Sequence, residues 1–244
     1  MSNADQHLKS KLFRFKKFSL TDVNCAMKIG TDGVLLGSVA GRYAASEILD
    51  IGTGCGLIAL MIAQKSSGNI VAIDQDEDSI ATAAYNLSIS PWKERINVLK
   101  SRFQDYWPQI SHKFDLIVCN PPFFHNSLKN PCNKKALARH SDLLAPGDLM
   151  QGISYLLAEP GVFLVIVPYQ QEYLWLETAS DYNLGCARRI EVSPRLGMPP
   201  HRMIMQFVMG NATPITERLA IEDAGRHKYS QDYRELTEEY YLNF

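Results

Sequence analysis

Ile48-Leu49-Asp50-Ile51-Gly52-Thr53-Gly54-Cys55-Gly56 is the stretch from which the fold is read. A compact apolar strand runs into three glycines at alternate positions, and an apolar helix opens near Leu57. Glycines at such a corner permit a tight turn and let a ligand lie against backbone N–H groups at a helix N-terminus. The usual dinucleotide fingerprint places its third glycine one residue later, so the spacing here departs from it. The next apolar strand, Ile70-Val71-Ala72-Ile73, ends in Asp74, about twenty residues after the glycines, where a carboxylate can accept hydrogen bonds from both ribose hydroxyls. A nucleoside is therefore expected, with no need for a pyrophosphate.

Working outward, strands and helices alternate. Strands are expected at 48–51, 70–74, 96–99, 114–119 and 162–167, and helices at 57–65, 77–89, 147–157 and 170–180. Such alternation implies a parallel sheet with helices on both faces, an α/β domain of Rossmann type. Two later strands, 187–192 and 203–209, are joined only by the turn-rich residues 193–201, too short a link for a crossover, so they are expected to be antiparallel. Ligands of such a sheet bind beyond the carboxyl ends of its strands.

The fourth strand, Phe114 to Cys119, runs directly into Asn120-Pro121-Pro122-Phe123. An Asn held by two stiff prolines offers a carbonyl oxygen in a fixed direction, and a neighbouring prolyl carbonyl offers a second acceptor. A planar amino group has two N–H donors to match, and Phe123 supplies a flat face for stacking. The plain alternative is a strand-to-loop corner in which the prolines merely stop the strand.

The glycine loop, the acid ending the second strand and Asn-Pro-Pro-Phe ending the fourth occur in the order of class I S-adenosylmethionine-dependent methyltransferases, which the chain resembles. That resemblance implies a seven-stranded, mostly parallel sheet with a C-terminal antiparallel hairpin at its edge, and S-adenosylmethionine as cofactor. It assigns Asp50, Gly52, Gly54 and Gly56 to the methionine and ribose part of the cofactor, Asp74 to the ribose, and Asn120 to the cofactor as well as to the acceptor. The acceptor falls to Asn120, Pro121 and Phe123, with Pro122 and Phe124 beside it. After the third strand the family often has an acid that reads the adenine amino group, whereas this chain has Ser101-Arg102-Phe103-Gln104-Asp105. Either Asp105 reaches back or Phe103 does the reading through its backbone.

Ala26 to Gly37 is the third strong element. Its Thr31-Asp32 either caps the helix that begins near Gly33 or belongs to a corner, with Lys28 and Thr31, that folds over the methionine end of the cofactor. Together with Phe13-Arg14-Phe15-Lys16, Pro200-His201-Arg202 and Tyr229-Ser230-Gln231-Asp232-Tyr233, these features closely resemble the bacterial tRNA adenine-N6 methyltransferases that act on a valine tRNA. The resemblance implies a tRNA anticodon loop as partner and N6 of the adenosine at position 37 as acceptor. The residues by themselves support a planar amino nitrogen.

Composition fits one domain over 1–244, with 1–45 a basic, cofactor-covering extension. The 244 residues are 46% hydrophobic, enough to bury a good core. A net charge of −1 is no advertisement for nucleic acid, but two groups are locally basic: Lys9, Lys11, Arg14, Lys16 and Lys17 around Phe13, Phe15 and Phe18, and Arg188, Arg189, Arg195, His201 and Arg202. Either could track phosphates. Five cysteines without a Cys-x-x-Cys pair suggest neither a disulfide framework nor a zinc site, and Cys55 lacks a local His to make it a nucleophile. The six histidines show no metal-ligand spacing, and no metal is expected. No apolar run approaches membrane-spanning length, and a cytoplasmic monomer is expected. The long segment between Phe124 and Leu149, with Arg139 and His140, reads as a lid over the acceptor.

Three other readings share these motifs. A protein-glutamine N5 methyltransferase would use the same Asn-Pro-Pro corner, but about forty-seven residues before the first strand leave no room for the separate helical domain expected of that type. A DNA adenine methyltransferase would need a target-recognition insert, and none is visible. A non-catalytic RNA-binding module on the same fold would keep the architecture and lose turnover.

Overall fold

The computed structural model describes residues 12–122 and 144–243. Phe123, Phe124, Lys9, Lys11, Cys132, Arg139 and His140 lie outside the described residues, as does most of the segment read as a lid. After a small hairpin, β1 (Phe13–Arg14) and β2 (Ser19–Leu20), comes helix α1 (Thr31–Ala40). The alternating body follows: β3 (Glu47–Ile51), α2 (Leu57–Lys65), β4 (Asn69–Asp74), α3 (Glu77–Ser88), β5 (Ile96–Lys100), α4 (Phe103–Tyr106), β6 (Phe114–Cys119), α5 (Pro146–Leu156), β7 (Leu157–Pro168) and α6 (Glu172–Asp181). The chain closes with β8 (Leu184–Arg195), β9 (Arg202–Met209), β10 (Ile215–Glu222) and α7 (Gln231–Thr237).

The strands order as β10-β8-β9-β7-β6-β3-β4-β5. Within this sheet β9 is antiparallel to β7 and β8, and every other pairing is parallel. The chain winds outward from β3 to β5, then crosses back to place β6 on the other side of β3. The β3/β6 boundary is thus the topological switch point, where such sheets open a crevice.

Side chains alternate between two cores, as a period of two requires. Ile48, Ile70, Leu116 and Val118 face α1, α2 and α7, while Leu49, Ile51, Ile117 and Cys119 face α4, α5 and α6. Burial of each such aliphatic side chain stabilises the fold by roughly 1.5–3 kcal/mol. Helix α2 is nearly apolar all round because it is enclosed: seven of its residues, Leu57 to Ala63, are buried.

Several expectations need correction. Among the described residues the sheet has eight strands rather than seven, and the β8–β9 hairpin is not at the edge. Strand β10 pairs in parallel with β8 outside it, a contact that its exposed, charged pattern concealed. Thr31-Asp32 does not cap α1: Gly30 occupies the N-cap with no side-chain hydrogen bond, and Asp32 turns to Arg202 instead. The later basic group is largely neutralised within the chain. Arg188 forms a bidentate pair with Glu217 (2.7 and 2.8 Å), Arg189 pairs with Glu172 (2.6 Å) and Arg202 with Asp32 (2.9 Å). Two of the three amino-terminal aromatics also turn inward, while Phe13 stays exposed. Phe15 and Phe18 are buried and stack at 4.6 Å, with Phe15 against Tyr241 and Phe18 against Trp92. Among the described residues no helix is long and apolar enough to cross a membrane.

Candidate functional site

The glycine loop turns on backbone geometry that L side chains resist. Gly52, Gly54 and Gly56 adopt φ of +71°, +56° and +83°. Gly52 and Thr53 both donate from their backbone N–H to the carbonyl of Ile73, which locks the loop onto β4. Among the described residues a Cβ at Gly52 or Gly54 would meet nothing within 4 Å, and one at Gly56 would make an ordinary contact with Ala83 at 3.6 Å. What Gly56, at the N-cap of α2, requires of glycine is its left-handed backbone rather than space.

Asp74 stands at the end of β4 beside this loop. One carboxylate oxygen accepts from the backbone N–H of Gly54 and the other from that of Asp76, each at 2.9 Å. These bonds hold the carboxylate in one orientation and leave lone pairs on both oxygens for further donors. Asp76 caps α3 by accepting from the backbone N–H and hydroxyl of Ser79.

A strap of chain before α1 reaches the same place. Asn86, fully buried on α3, accepts from the backbone N–H of Thr21 (2.9 Å) and donates to the carbonyls of Thr21 and Cys55, both at 2.8 Å. Thr82, one turn nearer the helix start, donates to the carbonyl of Val23. The strap thus climbs α3 toward the carboxyl end of the sheet and delivers Met27, Lys28 and Thr31. There Asp22 accepts from the backbone N–H of Ile29 at 3.0 Å, and Lys28 donates to the carbonyl of Asp22 at 2.7 Å.

Cys119 is register partner of Ile51, so Asn120 and Gly52 leave adjacent strands side by side at the switch point. Pro121 is buried and Pro122 exposed. The side-chain amide of Asn120 donates to the sulfur of Met27 at 3.5 Å, and its carbonyl oxygen is buried with no hydrogen-bond partner among the described residues. An orphaned acceptor of this kind costs free energy until a donor arrives.

These parts enclose a cleft of about 690 Å³. Lys28, Thr31, Gly52, Gly54, Asp74, Phe103, Asn120, Pro121 and Pro122 line it. Asp50 and Gly56 do not; both stand behind the loop. Asp50 is fully buried and accepts from the Thr53 hydroxyl at 2.7 Å. Burial first, and the nearby charge of Asp74 after it, push its carboxyl up to about 7. Of the two alternatives for the position after the third strand, Phe103 lines the cleft and Asp105 is exposed to solvent away from it.

Burial pushes the Cys55 thiol up to about 12 and that of Cys119 higher still, so neither is a thiolate nucleophile. His201, at the far rim, is held below the ordinary imidazole value by burial and by Arg202. Among the described residues no cluster of His, Cys, Asp or Glu could hold a metal ion.

Residues 18–150 match the Methyltransferase small domain family. Over 233 residues the chain is 45% identical to a tRNA1(Val) (adenine(37)-N6)-methyltransferase of Bacteroides thetaiotaomicron, covering 95% of this chain and 97% of that one. A protein of the same name from Parabacteroides distasonis is 41% identical over 234 residues, 94% of this chain and 97% of its own length. The chain belongs to the tRNA1(Val) (adenine(37)-N6)-methyltransferase family. Solved structures agree on the fold. A protein of Agrobacterium tumefaciens assigned as an O-methyltransferase superposes with a TM-score of 0.63 at 18% identity, over 86% of this chain and 96% of that one. A ribosomal-protein methylase of Lactobacillus delbrueckii gives 0.51 at 17% identity, over 73% and 77%.

For a methyltransferase of this family, sequence reasoning missed three parts of the site. Met27 touches Asn120, Asp76 and Ser79 line the cleft beside Asp74, and Asn86 ties the strap to the glycine loop. The Asp-x-x-Ser cap at 76–79 was a readable signal. Nothing local marked Asn86, whose three bonds reach residues 65 and 31 positions away.

Proposed function

We infer that this protein transfers a methyl group from S-adenosylmethionine to the exocyclic N6 of the adenosine at position 37 of tRNA1(Val). The family membership supports the reaction and the substrate. The observation that carries the site reading is the buried carbonyl oxygen of Asn120 beside the glycine loop, unpartnered among the described residues.

The cleft suits the cofactor in size and chemistry. Its volume lies within the range of small-molecule sites. Gly52 and Gly54 present bare backbone to it, and Asp74 presents oriented lone pairs suited to ribose hydroxyls. Phe103 provides an apolar wall for the adenine, while Lys28 and Thr31 close the methionine end. Asp50 acts from behind by holding Thr53. When bound, S-adenosylmethionine supplies an electrophilic methyl on a sulfonium.

The chain's own residues prepare the acceptor. An exocyclic ring nitrogen is a poor nucleophile because its lone pair is delocalised. Asn120 Oδ1 accepts one N–H of the amino group and the carbonyl of Pro121 accepts the other, which fixes the nitrogen and favours positive charge growing on it during in-line transfer. Position supplies much of the remaining rate. Asn120 is neutral and removes no proton; the methylated cationic amine is acidic enough to release one to water. Phe123, with Pro122 and Phe124 beside it, is assigned to stacking on a base turned out of the loop.

The test is methyl transfer from labelled S-adenosylmethionine to unmodified total tRNA, with DNA and bacterial release factors as parallel acceptors and mass spectrometry of the digested nucleosides. N6-methyladenosine in tRNA alone is expected. Label in protein would move the assignment to glutamine, and cofactor binding without turnover would make the chain a non-catalytic module.

A further inference from the structure

Strands β8 and β10 run parallel to β3, so the segments that follow them, 196–201 and 223–228, emerge at the carboxyl edge where the cleft opens. The first is a firm turn. The backbone N–H of His201 donates to the carbonyl of Val192 at 2.9 Å, that of Met198 donates to the carbonyl of Arg195 at 3.0 Å, and Gly197 takes a φ of +79°. The second is docked against it. The backbone N–H of Leu196 donates to the carbonyl of Glu222 at 2.8 Å, the Arg195 and Glu222 side chains pair at 3.5 Å, and the backbone N–H of Asp223 donates to the carbonyl of Lys228 at 2.8 Å to close the loop.

Two kinds of side chain stay outside on these fixed backbones. Leu196 is 69% exposed and Met198 49%. Arg226 and Lys228 are exposed as well, and Asp223 is the one carboxylate within the two segments. His201 and Arg202, which end the first turn, already line the cleft with Asn120, so the rim is continuous with the site. Cations interleaved with apolar surface on a preorganised edge match the needs of single-stranded nucleic acid, whose phosphates seek charge and whose base faces seek apolar support.

We propose that these two turns form a docking rim for the single-stranded RNA flanking the target nucleotide. Arg226 and Lys228 meet backbone phosphates, and Leu196 and Met198 support the faces of neighbouring bases. The proposal rests on the tRNA-methylating reading above. It also separates the rim from the more conspicuous arginines of β8, which the fold has paired with Glu217 and Glu172.

The experiment compares wild type with Arg226→Glu/Lys228→Glu and with Leu196→Ser/Met198→Ser, measuring equilibrium binding of unmodified tRNA across a salt series. Cofactor affinity and thermal unfolding serve as controls. The charge-reversed variant is expected to bind tRNA at least tenfold more weakly, with a log–log salt slope shallower by about 0.7 for each phosphate no longer neutralised. The apolar variant is expected to weaken binding several-fold at the wild-type slope. Arg226→Gln/Lys228→Gln gives a milder version with the same direction of slope change, should the reversed pair unfold. Wild-type tRNA affinity and slope in all three variants, alongside wild-type enzyme that methylates tRNA, would overturn the rim. Wild-type enzyme that leaves tRNA unmethylated would instead remove the functional reading beneath it.

Discussion

Asp32, in the first turn of α1, and Arg202, at the start of β9, lie 170 residues apart and form a 2.9 Å hydrogen-bonded ion pair at the cleft. The pair joins the strap that closes one end of the cleft to the hairpin that forms its other rim. It sits partly out of water, with side chains 22% and 23% exposed, so it is screened less than a surface pair. Asp32→Asn and Arg202→Gln are each expected to weaken cofactor binding, and a double-mutant cycle on that affinity should show coupling of about 1 kcal/mol. Strictly additive effects would mean that the two ends of the cleft are independent.

Asn120 and Asp74 are predicted to fail in different ways. Asn120→Ala should lower kcat by at least tenfold with cofactor affinity near wild type, because its oxygen acts on the amino nitrogen during reaction. Asp74→Ala should weaken cofactor binding by titration, since both its oxygens are aimed from the end of β4. An unchanged kcat in the first variant, or an unaltered titration in the second, removes that residue from its role.

Gly152, on α5 and outside the cleft, provides a remote test of Phe103. A Cβ there would collide with the Phe103 ring and come within 2.8 Å of Trp107. Gly152→Ala is therefore expected to cost about 1–3 kcal/mol of stability and to displace the cleft's aromatic wall. Denaturant unfolding and cofactor titration should worsen together, and a stable variant with normal affinity would show that the ring is not needed where it stands.

The buried carboxyl of Asp50 makes stability pH-dependent. It titrates near 3.8 when exposed and near 7 when folded, because burial disfavours its charged form. Between those values the folded state holds a proton that the unfolded state has lost, so this contribution to stability declines as pH rises from about 4 to about 7. In Asp50→Asn the decline should be absent. Melting temperatures of the two proteins across that range give the difference directly, and parallel curves would show that Asp50 is ionised throughout.

Asn86→Ala should be costly although the residue stands outside the cleft. It leaves the Thr21 N–H and the carbonyls of Thr21 and Cys55 without their partner in the interior, at roughly 1–3 kcal/mol for each group left unsatisfied. Hydrogen exchange at residues 20–28 should rise more than in the sheet, and uniform exchange would indicate that the strap is held by its other bonds.

The parts that local chemistry dictates were legible in the chain alone. Apolar runs of strand length separated by helical segments gave the parallel body, and the short 193–201 link required β8 and β9 to be antiparallel. Three glycines at alternate positions permitted a tight turn, and Asn-Pro-Pro after β6 implied a fixed acceptor. What stayed hidden depends on residues distant in sequence. Strand β10 is stabilised by ladder bonds and charge pairs to β8, so its own pattern is too polar to betray it. The arginines read as a basic patch could be recognised as paired only once β10 and α6 delivered Glu217 and Glu172. Asp50 and Gly56 carry the motif yet stand behind the cleft, because strand alternation turns one inward and the other serves as the left-handed N-cap of α2. Sequence by itself determined which chemical groups this protein possesses and the order in which they occur. Only the tertiary structure decided which of them share a wall, because crossing from β5 back to β6 is what sets Asn120 beside Gly52.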